Sequence, residues 1–214
     1  ERSRDDFIHI SENAWRRGGA GSGGSTMFAK LGSDVRLEDL MRAVVIQSAN
    51  DASIAIAEAF AGTEMKFAET MTARGRQIGM AKSVFKNATG LPADGQFVTM
   101  RDLITLARHI LKQYPEFYPI YGQREFEWNK IKQRNRNPLL AMDIGADGMK
   151  TGFTEESGFA IVGSLERNGR RLFMALSGMA SERERSEEGR KMLDWGNRAF
   201  EKRELFGKDE TIAE

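Results

Sequence analysis

The chain has 214 residues, 40% of them hydrophobic and 29% charged, enough for one large globular domain with a substantial core. Its 32 basic and 31 acidic residues leave a net charge of +1, so nothing electrostatic points to nucleic acid. Cysteine is absent, which excludes disulfides, thiolate metal sites and a cysteine nucleophile, and the two histidines, His9 and His109, lie too far apart in sequence to predict a histidine triad or a metal cluster; no cofactor is expected.

The opening Glu1–Asp6 is charged, with no apolar stretch of a signal peptide behind it, and no apolar run approaches the ~18 residues of a membrane span. The expectation is that either the protein is not exported or its export signal lies outside these residues. Residues 18–26, Gly-Gly-Ala-Gly-Ser-Gly-Gly-Ser-Thr, read as a flexible loop; a phosphate cradle would need a following Lys-Ser or Lys-Thr and a preceding strand. Leu37–Gln47 is helical by pattern, with Leu37, Leu40, Met41, Val44 and Val45 on one face. Asp51–Ala61 is a second helical run and Glu64–Met80 a third. Asn87–Gly95 is loop, with an Asp94-Gly95 turn, and Thr99 is the expected N-cap of a helix over Met100–Lys112.

The period then changes. Phe126, Trp128 and Lys130 alternate with Glu127, Asn129 and Ile131, which predicts a partly regular strand. Phe159–Glu166 and Arg171–Ser177 are apolar-rich runs around Asn168-Gly169, the strongest short hairpin signal available. Ser181–Phe200 reads as a helix, its charge runs a solvated face. Helices, a hairpin and a further helix predict an antiparallel sheet carrying helices, an α/β arrangement of the α+β kind.

Two short motifs carry the chemistry. Ser48-Ala49-Asn50 sits between two helical runs, and Lys150-Thr151-Gly152 comes about a hundred residues later, ahead of the hairpin. In this order and setting they resemble the second and third motifs of the serine acyltransferases that include penicillin-binding proteins and class A β-lactamases. Acyl transfer to a serine requires removal of the hydroxyl proton and return of a proton to the leaving amine, which a serine–lysine system performs without histidine. On that chemistry Ser48 relays a proton, Asn50 holds the base lysine and the substrate carbonyl, and Lys150 places positive charge beside the relay and the substrate carboxylate. Thr151 adds a hydroxyl to the same carboxylate. Gly152 lets substrate lie against the strand edge, and the backbone N–H at Phe153 or Thr154 offers half of an oxyanion hole.

Longer blocks narrow the resemblance. Gln47–Ala52, Asn87–Leu91 with Asp94–Gln96 and Arg101-Asp102, Asn135–Asn137 with Leu139-Leu140, and Asp147–Gly152 together resemble the low-molecular-mass D-alanyl-D-alanine carboxypeptidases from about Trp15 to Trp195. The resemblance implies a penicillin-recognising fold, with a five-stranded antiparallel sheet between helical layers. It implies hydrolysis of the terminal D-alanine from peptidoglycan pentapeptides through an acyl-enzyme, and covalent binding of β-lactams, in an exported or periplasmic protein. It also implies that Arg185 helps to bind the substrate's terminal carboxylate and that Arg136 lies near the cleft. Set against these roles, Arg185 reads as an exposed residue of a charged helix start, and Arg136 as one surface charge among Lys132 and Arg134.

The chain departs from the family pattern. Phe153 stands where many relatives have histidine. No serine before Ser48 has a lysine three residues on, so the family's Ser-x-x-Lys nucleophile motif is not found in its expected place; the single match, Ser83-Val84-Phe85-Lys86, follows the second motif. On the resemblance, residues 1–205 are a transpeptidase-like domain without its N-terminal segment, residues 206–214 begin a linker to a β-rich second domain, and membrane contact belongs to parts beyond it. These 214 residues alone are therefore expected to be inactive. Two rivals are a class A β-lactamase, for which Glu125–Asn129 has the spacing of the deacylating glutamate signature, and a non-catalytic peptidoglycan-binding relic.

Overall fold

A computed structural model describes residues 2–200. A two-stranded ribbon opens the chain: β1 (Phe7–His9) pairs antiparallel with β2 (Asp34–Arg36), and α1 (Glu12–Gly18) lies between them. Ser11 caps α1 by accepting from the Ala14 N–H. These elements carry too few residues for a periodic signal and are not predicted from the sequence. The glycine-rich segment is loop apart from a single 3-10 turn over Ala20–Ser22.

The first helical pattern begins as α2 (Leu37–Arg42), widens into a π-turn over Ala43–Gln47 and stops at Ser48. After that corner, α3 (Asn50–Ala61) runs on, followed by α4 (Glu64–Gln77), which ends three residues earlier than its pattern suggests. Ile8, Ile10, Met27, Leu40, Ile46 and Ile54 form the fully buried centre of this half. Each such side chain contributes about 1.5–3 kcal/mol on burial. Helix α5 (Met100–Gln113) starts where expected, with the Thr99 hydroxyl accepting from the Asp102 N–H.

The single irregular strand expected near Phe126 is instead a hairpin. Strand β3 (Glu125–Trp128) pairs with β4 (Ile131–Arg134), and the turn residues Asn129 and Lys130 both have positive φ, 49° and 63°. Positive φ at both central positions is the geometry that twists with its flanking strands, but lysine is an uncommon residue there, and that hides the turn in the sequence. The Asn168-Gly169 hairpin forms as read, with φ of 52° and 67°, between β6 (Gly158–Arg167) and β7 (Arg170–Met179). Strand β5 (Ala146–Thr154) pairs antiparallel with β6, and α6 (Glu182–Ala199) packs on the sheet. The main sheet is thus three-stranded among the described residues, in the order β5-β6-β7, not the five strands the resemblance implies. Residues 206–214, read as a linker, lie outside the described residues.

Candidate active site

Ser48 occupies a forced backbone position. It closes the π-turn with φ 60° and ψ 36°, the left-handed region a side chain rarely enters. Such residues cost on the order of 1–3 kcal/mol and persist only where the surroundings over-determine them. Here the surroundings are Ala43, Ile46, Gln47 and Ala49, all buried. Three residues on, Asp51 is completely buried at the start of α3 and accepts from the Thr26 hydroxyl at 2.7 Å, the Met27 N–H at 3.0 Å and the Ala29 N–H at 3.2 Å. This carboxylate ties the helix start to the end of the glycine-rich loop. The Asn50 N–H adds a bond to the Ser25 carbonyl at 2.8 Å. Gly24 passes so close that a Cβ there would lie 2.8 Å from Asn50 Nδ2. The loop therefore forms a wall of the site, which its composition alone does not predict.

Lys150 arrives from the other half of the molecule. Its ammonium donates to Ser48 Oγ in a short hydrogen bond and to the Thr151 carbonyl at 2.8 Å, joining residues 102 positions apart. Burial lowers its pKa to about 8, and the positive charges of Arg136 and Arg185 add to the effect. A lysine tuned close to neutral pH beside a serine hydroxyl is suited to exchanging protons with it.

The exposed reading of Arg185 is wrong. The residue is 5% exposed at the first turn of α6, its guanidinium lies 5.5 Å over the Phe159 ring, and its single acidic neighbour, Glu182, is 3.6 Å away. Its buried Nε has no hydrogen-bond partner among the described residues. Burial lowers its pKa, opposed by the Glu182 charge and aided by the smaller effect of Arg136. A buried cation with an unused donor is a site for an anion. Thr151 is buried, opposite Ile161 in the ladder, on β5. Gly152 and Phe153 are exposed on the same strand, with Phe153 stacked on Phe159 at 4.3 Å between centroids. Among the described residues strand β5 is an edge of the sheet, so its outward N–H and C=O groups have no ladder partner there.

Arg136 separates from the surface charges beside it. Lys132 pairs with Glu125 across the β3–β4 hairpin at 2.5 Å, whereas Arg136 donates to Ser25 Oγ at 2.7 Å and its charge reaches both Lys150 and Arg185. The Asn50 amide has no hydrogen bond to Lys150 in this arrangement; its neighbour is the loop at Gly24. Ser83 is buried and donates to Asp102 at 2.7 Å, a cap for the segment before α5, and so is not a nucleophile. Glu125 lies in strand β3, where it pairs with Lys132, rather than in the loop that the β-lactamase signature occupies. Sequence reading missed Ser25, Asp51 and Gln133; the last donates to the Thr26 carbonyl at 3.1 Å and to Gln47 Oε1 at 2.7 Å.

Comparison with known proteins adds an independent finding. The family model described as D-alanyl-D-alanine carboxypeptidase matches residues 2–180. The chain is 39% identical over 198 residues to D-alanyl-D-alanine carboxypeptidase DacC of Escherichia coli (strain K12), covering 92% of this chain and 50% of that protein. It is equally similar, at 39% and with the same coverage, to DacA of Haemophilus influenzae. Among solved structures, penicillin binding protein 5 from Haemophilus influenzae superposes with a TM-score of 0.86 at 37% identity, over 91% of this chain and 56% of that one. Penicillin binding protein 6B from Escherichia coli gives 0.86 at 36%, over 92% and 63%. The chain thus spans about half the length of the curated relatives it matches.

Proposed function

Because the chain belongs to the D-alanyl-D-alanine carboxypeptidase family, peptidase S11, we propose that the protein of which these residues form part removes the terminal D-alanine from peptidoglycan stem peptides through a serine acyl-enzyme, and that β-lactams acylate the same site. The observation that carries the reading is the contact between Lys150 and Ser48, with Thr151 on the same strand and the buried Arg185 guanidinium on the adjoining helix.

In the proposed reaction a serine hydroxyl attacks the carbonyl carbon of the penultimate D-alanine, the C–N bond breaks, and the hydroxyl proton ends on the departing amine. Ser48 and Lys150 carry that proton between the two, since Lys150 is tuned to give and accept it near neutral pH. Arg185, Thr151 and Lys150 bind the terminal carboxylate, with Arg136 adding positive charge at the rim. The exposed edge of β5 at Gly152 and Phe153 aligns the peptide and offers an N–H to the oxyanion. Water then hydrolyses the ester. This reading requires no cofactor, and it sets the protein on the exported, periplasmic side of a bacterial envelope. No described helix is long and apolar enough to cross a membrane.

The test uses the full-length protein. A peptide ending in D-Ala-D-Ala is expected to lose one D-alanine, and a labelled penicillin to attach to one serine. Binding of the peptide with neither release nor labelling would mark the protein as a peptidoglycan-binding relic. Residues 1–214 by themselves, without a Ser-x-x-Lys pair in family order, are expected to take no label; stoichiometric label on Ser48 or Ser83 would overturn the assignment of roles.

A further inference from the structure

The polar cluster at the far end of β5 from the exposed site residues takes no part in the chemistry above. Asp147 lies at a bulge. Ala146 faces Leu165 and Gly148 faces Ser164, so Asp147 is an extra residue with no partner on β6. Side chains on a strand alternate with a period of two, so gaining or losing one residue reverses the direction of every side chain beyond it. Lys150 is three residues further on. From Gly148 the ladder runs without a shift, Lys150 opposite Val162 and Thr151 opposite Ile161, to Thr154 opposite Gly158.

The bulge is clamped from three elements. The Asp147 carboxylate accepts from Ser164 Oγ of β6 at 2.6 Å, from Arg171 Nη1 of β7 at 2.6 Å to each oxygen, and from the Tyr118 hydroxyl at 3.3 Å. Tyr118, in the 3-10 turn over Tyr118–Gly122, also shares a short hydrogen bond with Ser164. Arg171 extends to Glu166 at 2.6 Å and lies 5.6 Å over the Tyr118 ring. Ser164 is fully buried and Tyr118 is 6% exposed. A Cβ on Gly148 would meet the Tyr118 hydroxyl at 3.1 Å and Ser164 Oγ at 3.3 Å, so the clamp occupies the space of a side chain at that position.

We propose that Asp147 is a positioning residue for the reaction: by fixing the bulge at the start of β5, it sets the register that delivers Lys150 to Ser48 and turns Thr151 toward the sheet face of Ile161. The proposal rests on the roles given above to Lys150 and Thr151. Polar clusters in an apolar setting are a poor source of stability, because similar-sized apolar residues replace them at little cost; fixing one register among several is their best-attested use. Burial, followed by the charges of Arg136 and Arg185, holds the Lys150 pKa down. A change in the Lys150 titration on substituting Asp147 therefore reports movement of the strand.

The experiment compares Asp147→Ala, Asp147→Asn and Tyr118→Phe with wild type in the full-length protein. Two quantities are read: the penicillin acylation rate per folded molecule, and the pKa of the Lys150 ammonium by nitrogen NMR, its signal identified by loss in Lys150→Arg. Displacing a reacting group by about 1 Å costs on the order of 10²-fold, and that loss is expected for Asp147→Ala. Its Lys150 pKa is expected to climb from about 8 toward the ordinary ~10.4 as the side chain leaves its buried seat. Asp147→Asn, which keeps an acceptor for Ser164, falls between, and Tyr118→Phe shows the smallest shift in the same direction. A folded Asp147→Ala protein with an unmoved Lys150 titration and acylation within about threefold of wild type overturns the proposal, since no register-dependent effect of that size is left. Should that variant not fold, Asp147→Asn and Tyr118→Phe decide by the same two readings. A wild-type protein that penicillin does not acylate refutes the functional reading alone, because the NMR titration still judges the clamp.

Discussion

Ser48 reaches the site from a helix corner set in alanine, isoleucine and a buried glutamine, whereas Lys150 reaches it along an edge strand, aligned by a hydrogen-bond ladder. The helical half has one large apolar cluster spanning β1, β2, α2 and α3, which Phe126 of the β3–β4 hairpin joins. The sheet half has separate clusters on its two faces, one centred on Leu139, Ile161 and Leu193 and one on Tyr118 and Met149. Across the boundary the site is joined by polar contacts: Lys150 to Ser48, Arg136 to Ser25, and Gln133 to Thr26 and Gln47. Apolar packing holds each half in shape and, through Phe126 and Trp128 of β3, also crosses the boundary, while a few charged or amide groups align the site residues across it. Mutations in the apolar clusters should therefore act on stability, and mutations at the boundary on chemistry.

The largest effect should come from removing the central contact. In the full-length protein Lys150→Ala is expected to slow acylation by penicillin and by peptide on the order of 10²-fold or more, the loss for a charge-assisted contact in a shielded site. Wild-type acylation rates in that variant would take Lys150 out of the mechanism.

The same residue sharpens the comparison through stability. The folded-state pKa of Lys150, about 8, lies below the ~10.4 of an unfolded lysine. Between those values the unfolded chain holds a proton that the folded chain has released, so stability from this group rises with pH across that window. Below about pH 8 both states are protonated and the full cost of seating the ammonium is present. Lys150→Met is thus expected to be more stable than wild type at pH 7, by something on the order of 2 kcal/mol, with the gain shrinking by pH 10. Thermal unfolding at the two pH values checks it; a gain independent of pH would assign the effect to packing.

Arg185 is next. Replacing this buried, poorly paired cation by methionine should leave thermal stability little changed, because burying an ion without a full partner contributes little. D-Ala-D-Ala turnover should fall about tenfold, the scale of one lost charged hydrogen bond. Esterifying the peptide's terminal carboxylate should then cost the variant less than it costs wild type. Equal penalties in the two proteins would detach Arg185 from the carboxylate.

Much of this was legible in the residues. The helix boundary at Thr99 followed from capping chemistry, and the Asn168-Gly169 hairpin from the φ its turn requires. The two motifs were readable because acyl transfer restricts which residue types suffice. The unread parts have physical causes. The β3–β4 turn places Lys130 at positive φ, which no propensity signals. The ribbon β1–β2 has three residues per strand, too short for a period. Burial of Arg185 depends on where α6 lands on the sheet, and a charged sequence around it gives the opposite impression. The wall made by Gly24 and Ser25 depends on Asp51 drawing Thr26 inward, a contact between residues 25 apart whose types fit many other partners.

The smallest effect expected at the boundary belongs to Arg136. It is exposed, it touches Ser25 rather than the catalytic pair, and it acts on Lys150 by charge alone. Its influence ranks behind burial among the causes that lower the Lys150 pKa. Arg136→Ala should therefore raise that pKa by less than about one unit, moving the matching limb of the pH profile for acylation upward. Because the interaction passes partly through solvent, salt should weaken it; at 1 M ionic strength the Debye length is only ~3 Å, so the profiles of wild type and variant should converge. The measurement is the acylation rate against pH at low and high salt for both proteins. A limb that does not move at low salt would leave Arg136 as a surface charge whose bond to Ser25 is structural. A shift that survives high salt would instead mean that removing Arg136 lets the glycine-rich loop move and changes the burial of Lys150 itself.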